Sequence, residues 1–243
     1  MPAKKNTHGL PLPIDRYELT TEDRLRFAEE AALGMVVPQA SVLTQRAKEV
    51  HPDAISSEQV QAVIRRLLST GLAQRQGREK NKKRRTLVGL AAPQIGESLR
   101  IIVIDIKIGP DRKRPGKLDC FINPEIIWSS RETVEGPEGC FSAGLVWGLV
   151  RRPVAVKIRA YTPEGKQIER IFEGFTARIA QHEYDHLDGI RFADRIKSDR
   201  KRHWVHTEEL PEYPKHSKHW PRLCTRQQWE LFKRPAKNRS GAD

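Results

Sequence analysis

Cysteine is scarce in this chain, with three among 243 residues, and no hydrophobic run approaches the length of a membrane span. Three cysteines are too few, and too odd a number, for the disulfide framework of a small secreted domain. The first residues are polar and basic and lack the apolar core of a secretory signal. We therefore expect a cytoplasmic protein with no membrane partner.

Acidic side chains are in the minority: 31 Asp and Glu face 44 Lys and Arg, and the formal net charge is +13. Six of the basic residues lie in Arg78–Arg85. Lys197–Arg202 adds further positive charge. Such clusters attract RNA phosphates, which predicts contact with the ribosome or ribosomal RNA. A solvated surface loop is the alternative, because charge runs are common on protein surfaces.

The most informative segment that is present is His182–His186, which reads His-Glu-Tyr-Asp-His. A helix is predicted over Phe172–Gly189, because apolar residues and histidines recur there at spacings of three and four. His182 and His186 then lie one turn apart on one face, with Glu183 beside them. This arrangement is typical of a metal site that carries its own base. Burying these groups without a metal or other partners would cost several kcal/mol.

A catalytic metal site needs a third protein ligand, and this ligand could be a histidine, a downstream glutamate or an upstream cysteine. A metzincin-type site continues to a third histidine, but Phe192 stands at that position. A thermolysin-type site uses a downstream glutamate, and Glu208 and Glu209 lie at only an approximate distance. Cys140 lies upstream among small and polar residues, a setting unlike that of an inert buried thiol. We take Cys140 as the predicted ligand, because one thiolate and two imidazoles leave a fourth position open for water.

Other polar residues have weaker patterns. Asp185 and Asp188 are available to accept hydrogen bonds from the imidazoles, but each is equally typical of a solvated helix charge. A second metal site is not predicted, because irregular spacing separates the four later histidines, which are His203, His206, His216 and His219.

The segment Val88–Gly96 combines small residues with one amide side chain. Small residues permit close approach of a backbone, and Gln94 offers an amide that can donate to a developing oxyanion. Together with Glu138–Ser142, which reads Glu-Gly-Cys-Phe-Ser, and with His182–His186, this segment strongly resembles the three signature segments of the peptide deformylases. The resemblance covers most of residues 86–196, and it implies that the basic segment 76–86 just before them is an inserted loop.

The resemblance implies a metal-dependent hydrolase that removes the N-formyl group from the first methionine of nascent polypeptides and releases formate. It implies three metal ligands, which are Cys140, His182 and His186. Fe²⁺ is the usual ion, and Ni²⁺, Co²⁺ or Zn²⁺ are its substitutes. It also implies three catalytic groups, namely a general acid/base, a side-chain oxyanion donor and a backbone oxyanion donor, supplied by Glu183, Gln94 and Phe141. We expect contacts with the substrate, an N-formyl-methionyl peptide, at Val88, Gly89 and Gly139.

Two positions depart from the family pattern, since Leu87 stands in place of a glycine and Phe141 in place of a leucine. Neither change removes a reacting group, but both bear on substrate scope, so action on another formylated small molecule is an alternative. A further alternative is a winged-helix-like nucleic-acid reader in residues 20–88, with the basic run as its wing. It is disfavoured because the strand that would close the wing is needed for the segment of Gln94.

An α+β fold of the peptide-deformylase kind is predicted, with antiparallel sheets around a central metal-binding helix. Further predicted helices are Thr21–Ala32 and Ser57–Ser69, the second ending at Gly71. Predicted strands are Leu99–Ile106 and a hairpin of Val154–Tyr161 with Gln167–Phe172. We expect a flexible N-terminal arm over residues 1–19, a catalytic domain over 20–196, and a C-terminal extension over 197–243 that packs on the domain through its tryptophans.

Overall fold

The structure, a computed structural model, describes residues 19–80, 87–108 and 116–234, without the side chains of residues 76–80. These residues form five α-helices, which are α1 (Thr21–Ala32), α2 (Glu58–Lys80), α3 (Gly174–Leu187), α4 (Tyr213–His216) and α5 (Arg226–Phe232). They form eight strands, which are β1 (Gly89–Ala91), β2 (Ile101–Asp105), β3 (Leu118–Ser129), β4 (Thr133–Gly139), β5 (Val146–Pro153), β6 (Ala155–Tyr161), β7 (Gln167–Glu173) and β8 (Arg202–Trp204).

The strands form two sheets. The larger has the order β1-β2-β3-β6-β7 and the smaller the order β4-β5-β8. All neighbouring strands are antiparallel. The predicted hairpin is formed by β6 and β7, whose register runs from Ala155 opposite Glu173 to Tyr161 opposite Gln167. The predicted α+β class with antiparallel sheets is therefore confirmed.

The larger sheet is covered by α2 on one face and by α3 on the other. Ile101 of β2 belongs to the same hydrophobic cluster as Leu67 of α2. The next residue, Ile102, belongs to the cluster that contains Ile179 of α3. Successive side chains of a strand point to opposite faces, so a strand covered on both sides is apolar at every position. This explains the unbroken apolar run at the start of β2, and it fixes α3 against the sheet.

The segment predicted as a helix over Phe172–Gly189 is found in α3, although Phe172 itself belongs to β7. Gly189 has a φ of +70°. The backbone N–H of Ile190 donates to the carbonyl of Asp185, which closes the last turn. Left-handed backbone after the last helical residue is the usual way for a helix to end, and glycine adopts it without strain.

Gly189→Ala is expected to lower the free energy of unfolding by about 2 kcal/mol, because a left-handed φ costs an L-residue about 1 kcal/mol or more and packing adds to it. A Cβ at this position would lie 2.7 Å from the carbonyl carbon of Thr44, which is backbone. The matched control is Gly165→Ala, where φ is +80° but no atom lies within 4 Å of the added Cβ. Urea unfolding of both variants measures the difference, and equal losses would contradict a packing contribution at Gly189.

The end predicted at Gly71 is wrong, because α2 continues through this residue to Lys80. A glycine inside a helix costs about 1 kcal/mol relative to alanine. Tertiary contacts on both sides outweigh that cost. Leu67 is fully buried one turn before the glycine. One turn after it, Arg75 donates to the carbonyl of Leu87 and to the carboxylate of Asp105, at 3.0 and 2.8 Å.

The region between α1 and α2 lacks the first helix that a winged-helix reader would need. Its regular structure consists of two short 3₁₀ turns, Ser41–Thr44 and Pro52–Ala54. β1, which would have to close the wing, pairs with β2 in the larger sheet. The winged-helix interpretation is therefore not supported. The basic run Arg78–Arg85 lies outside the described side chains, so its contact with RNA stays a prediction.

Residues after 196 contribute to the second sheet and to a hydrophobic cluster. β8 pairs with β5, and Trp204 and Trp229 are buried in one cluster. The indole N–H of Trp220 donates to the carbonyl of Trp204 at 2.9 Å.

The division of the chain at residues 19 and 196 stays a prediction, and residues 1–18 of the arm lie outside the described part. None of the described helices is both long and apolar enough to cross a bilayer.

Candidate metal and catalytic site

Three potential metal ligands from distant parts of the sequence meet beside α3. Cys140 directly follows β4, whereas His182 and His186 lie one turn apart on α3. One ligand atom from each residue lies within 4.8 Å of those of the other two. Cys140 Sγ lies 3.2 Å from His186 Nε2. Within the described residues this is the one group of three His, Cys, Asp or Glu side chains with such spacing.

A buried carboxylate orients the first histidine. Glu138, two residues before Cys140, lies 2.9 Å from Nδ1 of His182. Arg152 of β5 donates two hydrogen bonds to the same carboxylate, at 2.6 and 2.8 Å. Arg178 of α3 donates a third, at 2.7 Å. Because Nδ1 of His182 is engaged, Nε2 is the nitrogen that remains for a metal.

The charges around the carboxylate of Glu138 shift the pKa values of Glu138 and of its partner His182 in opposite directions. Burial raises the pKa of Glu138, but Arg152 and the hydrogen bonds outweigh burial and hold that pKa far below its usual range. Burial lowers the pKa of His182, yet its interactions with Cys140 and Glu138 raise the pKa well above normal. Burial and the neighbouring His182 both lower the pKa of His186, which lies well below its usual value. The site thus contains a fixed negative charge behind one imidazole and a second imidazole that is neutral.

Glu183 lies beside the potential ligands and is 4% exposed. Its Oε2 has no hydrogen-bond partner among the described residues. Burial raises the pKa of its carboxyl group to about 7. Gly89 of β1 makes room for it, since a Cβ at position 89 would lie 2.6 Å from Glu183 Oε1. A carboxyl group with such a pKa can both accept and return a proton near neutral pH.

Gln94 is held in a 3₁₀ turn, Ala92–Ile95, that follows β1. Its side-chain oxygen accepts from the backbone N–H of Ala91 at 2.8 Å. Its Nε2 therefore points toward the potential ligands, and it lies 3.3 Å from Cys140 Sγ and 3.2 Å from Ser142 Oγ. Phe141 begins the next 3₁₀ turn, directly after Cys140.

A cavity of about 400 Å³ opens onto these groups. Its lining includes every residue predicted for the site except His186, namely Val88, Gly89, Gln94, Gly139, Cys140, Phe141, His182 and Glu183. His186 is 1% exposed and lies behind the others.

The residues present fit a divalent transition metal. One thiol and two imidazoles form the donor set that borderline cations prefer. Two buried polar atoms next to it, Glu183 Oε2 and His186 Nδ1, have no hydrogen-bond partner in the described part of the chain. Buried polar atoms of this kind are uncommon and are typical of sites that bind an ion, water or substrate.

Known proteins agree with this chemistry. The sequence model of the polypeptide deformylase family matches residues 33–202, which is most of the chain. This chain belongs to the polypeptide deformylase family. The peptide deformylase of Desulforudis audaxviator is 49% identical over 115 residues, which are 47% of this chain and 70% of the relative. That of Pseudothermotoga lettingae is 46% identical over 114 residues, which are 47% of this chain and 61% of the relative.

Solved deformylases share the fold. The class I type b peptide deformylase of Acinetobacter baumannii, with Met-Ala-Ser bound, has a TM-score of 0.57 and 33% identity, and the match covers 67% of this chain and 96% of that one. The peptide deformylase of Thermotoga maritima has a TM-score of 0.55 and 32% identity, with 68% and 97% covered. The deformylase family is one of enzymes that hydrolyse amides with the help of a divalent metal.

The alternative ligands and orienting groups lie elsewhere. Glu208 accepts from the hydroxyl of Thr20, and Glu209 caps the backbone N–H of His206. Asp185 accepts from Arg152 and Arg195, and Asp188 from Arg100, and among the described residues neither has a hydrogen bond to an imidazole. The carboxylate that contacts an imidazole is that of Glu138, for which no role was predicted from the sequence. Its position two residues before Cys140 was the available signal, because alternate residues of a strand share a face.

The two departures from the family pattern are both accommodated. Leu87 is buried in the cluster that α2 covers, and it is not among the described residues with a positive φ, so a leucine fits the backbone here without strain. Phe141 packs at the edge of the same cluster. Burial raises the pKa of the other two cysteines, Cys120 and Cys224, to about 12. A thiol with so high a pKa is inert at neutral pH.

Proposed function

We propose that this protein is a peptide deformylase, which removes the N-formyl group from the N-terminal formyl-methionine of nascent polypeptides and releases formate. The observation that carries this proposal is the meeting of Cys140, His182 and His186 with Glu183 and Gln94 around one cavity. The substrate is an N-formyl-methionyl peptide, and the reaction takes place in the cytoplasm. Contact with the ribosome through the basic segments is part of the proposal.

Cys140, His182 and His186 would hold the divalent cation. Fe²⁺ is the first candidate, and Ni²⁺, Co²⁺ and Zn²⁺ are substitutes, since thiolate and imidazole ligands suit all four. A bound cation of this kind lowers the pKa of water and polarises a carbonyl group. Glu138 supports the site from behind, because its carboxylate keeps the imidazole of His182 oriented and electron-rich.

Glu183 moves the proton. Its carboxylate takes a proton from the attacking water, and the protonated carboxyl then gives this proton to the departing amine, so one group serves as base and acid in turn. The pKa of about 7 suits both steps at neutral pH. The solvent-poor position against Gly89 keeps the proton from being lost to bulk water.

Two N–H groups stabilise the charge that develops on the formyl oxygen. One is the side-chain amide of Gln94, which the hydrogen bond from Ala91 holds in place. The other is the backbone N–H of Phe141, which the geometry of the turn after β4 fixes. Donors that are oriented before the reaction stabilise such charge most effectively.

Two sheet edges flank the cavity and suit an extended peptide. β1 is an outer strand of the larger sheet, and β4 an outer strand of the smaller one. Val88 and Gly89 lie at the first edge and Gly139 at the second. An extended chain between them can form backbone hydrogen bonds with either edge. The Met-Ala-Ser found with the Acinetobacter baumannii enzyme supports a peptide as the ligand of this site.

The test is formate release from formyl-Met-Ala-Ser by protein that is purified without oxygen and loaded with Fe²⁺. Oxygen is excluded because thiolates oxidise. We expect repeated turnover with about one metal ion per chain, as the single ligand group implies. N-formyl-aniline is the comparison substrate, and preference for it over the peptide would favour action on a small molecule. Protein that holds the metal but releases no formate from the peptide would contradict the proposal.

A further inference from the structure

One wall of the cavity is formed by residues outside the region that the family model matches. The match begins at residue 33. α1 ends at Ala32, so the whole helix lies outside it. Nevertheless α1 lines the same cavity as Gln94, Cys140 and Glu183. Thr207 and Leu210, which follow the matched region, line this cavity as well.

One face of α1 is turned toward the cavity. The lining residues recur at spacings of three and four, which is the period of one helix face, and they are Glu22, Leu25, Arg26, Glu29, Glu30, Ala32 and Leu33. Of the positions between them, Arg24, Ala28 and Ala31 are exposed, whereas Asp23 is buried and Phe27 is half-buried, and none of these five lines the cavity. The face therefore runs along the whole helix rather than touching the cavity at one end.

Specific contacts hold this helix in place. Asp23 is fully buried, and its carboxylate accepts from the backbone N–H and the hydroxyl of Thr207, at 2.9 and 2.7 Å. His206 Nδ1 lies 2.7 Å from the other oxygen of Asp23. Arg26 donates to the carbonyl of Gly144 at 2.8 Å. Phe27 packs against the hydrophobic cluster of Trp229. α1 is thus a fixed part of the cavity.

An apolar side chain on this wall is exposed toward the cavity. Leu25 is 53% exposed, although most of the described leucines are buried. Leu87 and Leu210 line the same cavity but are 2% and 7% exposed, so Leu25 is more accessible than either. A helix of 12 residues is about 18 Å long, which equals the length of about five residues of extended peptide. The wall is long enough to meet residues well beyond a first methionine.

We infer that α1 determines substrate preference, with Leu25 binding an apolar side chain of the residues that follow formyl-methionine. The inference rests on the proposed function, because it takes the formyl peptide as the occupant. The occupant follows from continuity: the wall and the catalytic groups share one cavity. An apolar substrate side chain that covers Leu25 removes its exposed surface from water, and this stabilises the complex.

The test compares two formyl pentapeptides of equal length, formyl-Met-Ala-Leu-Leu-Ser and formyl-Met-Ala-Ser-Ser-Ser, with formyl-Met-Ala as a short reference. For the metal-loaded wild type we expect kcat/KM to be roughly tenfold higher with the leucine peptide, since covering half a leucine contributes about that factor. In Leu25→Gln the ratio falls to about one, because the apolar contact is lost while helix propensity is kept. Ala28→Gln, which places the same residue on the outer face, keeps the wild-type ratio.

Separate results identify which idea fails. Equal kcat/KM for both pentapeptides in the wild type would overturn the role of Leu25 and leave the deformylase intact. If Leu25→Gln lowered kcat/KM for formyl-Met-Ala by the same factor as for the leucine peptide, the role of Leu25 would also be overturned. Binding of unformylated Met-Ala-Leu-Leu-Ser, measured by calorimetry, is the second readout. If peptide binding depends on Leu25 but no formate is released from the formyl peptides, the role of α1 in binding is supported and the proposed activity is rejected.

Discussion

Glu183→Gln is expected to lower the rate of formate release about 1,000-fold, while about one metal ion per chain stays bound, since a positioned general acid/base contributes factors of this size. Glutamine has nearly the same shape but cannot accept the proton of the attacking water. The three potential ligands are unchanged in this variant. The measurement is kcat for formyl-Met-Ala-Ser together with the metal content of the same protein sample.

If Glu183 acted mainly through folding, its replacement would lower the melting temperature, whereas a catalytic role predicts no such loss. The carboxyl group is buried, and burial raises its pKa to about 7, so its charged form is destabilised in the folded protein. Glutamine removes that cost, and the melting temperature of the variant should equal or exceed that of the wild type above neutral pH. The control is Glu173→Gln, the same change at an exposed position just before α3, which should leave kcat unchanged. A lower melting temperature for Glu183→Gln would argue that the residue acts through folding.

Glu138→Gln is expected to lower the free energy of unfolding by about 3 kcal/mol, because removal of one partner leaves buried charges uncompensated. Arg152 and Arg178 both donate to this carboxylate, and Arg152 is almost fully buried. Metal affinity should fall about 10- to 100-fold, because the same carboxylate orients His182. Urea unfolding measures the first effect, and competition with a coloured chelator measures the second.

Glu169→Gln is the matched control for this experiment. Glu169 also pairs with two cations, Lys157 and Arg159, but its side chain is 37% exposed. Exposed ion pairs contribute about 0 to 1 kcal/mol, so this variant should remain close to the wild type in stability and in metal affinity. Equal stability losses in the two variants would contradict the importance of burial at Glu138. Unchanged metal affinity in Glu138→Gln would contradict its role behind His182.

Local sequence signals were sufficient for part of the fold. The helix that carries His182 and His186 was predicted from periodicity and a terminal glycine, and the hairpin of β6 and β7 from alternation around a turn. These signals depend on residues within a few positions of each other. The candidate site was assembled from three short segments whose residue types carry the chemistry, and the structure brings those segments together around one cavity.

Features that depend on distant partners were missed. α2 passes through Gly71 because Arg75 reaches Leu87 and Asp105, residues that belong to other elements. The role of Glu138 depends on Arg152, Arg178 and His182, which only the fold brings together. α1 was predicted as a helix over Thr21–Ala32, and this is confirmed. Its place in the cavity wall was not predicted, because a helix pattern does not reveal which surface the helix covers.

The bond between Asp23 and Thr207 also sets an order of events during synthesis. The two residues are 184 positions apart. At about 5 to 20 residues per second, roughly 10 to 40 s pass on the ribosome between the appearance of the first residue and that of the second. During that interval the carboxylate of Asp23 has its local partner, the backbone N–H of Thr20, but lacks His206 and Thr207. The three potential metal ligands all precede Thr207 in the chain, so the ribosome synthesises them before the residue that anchors α1.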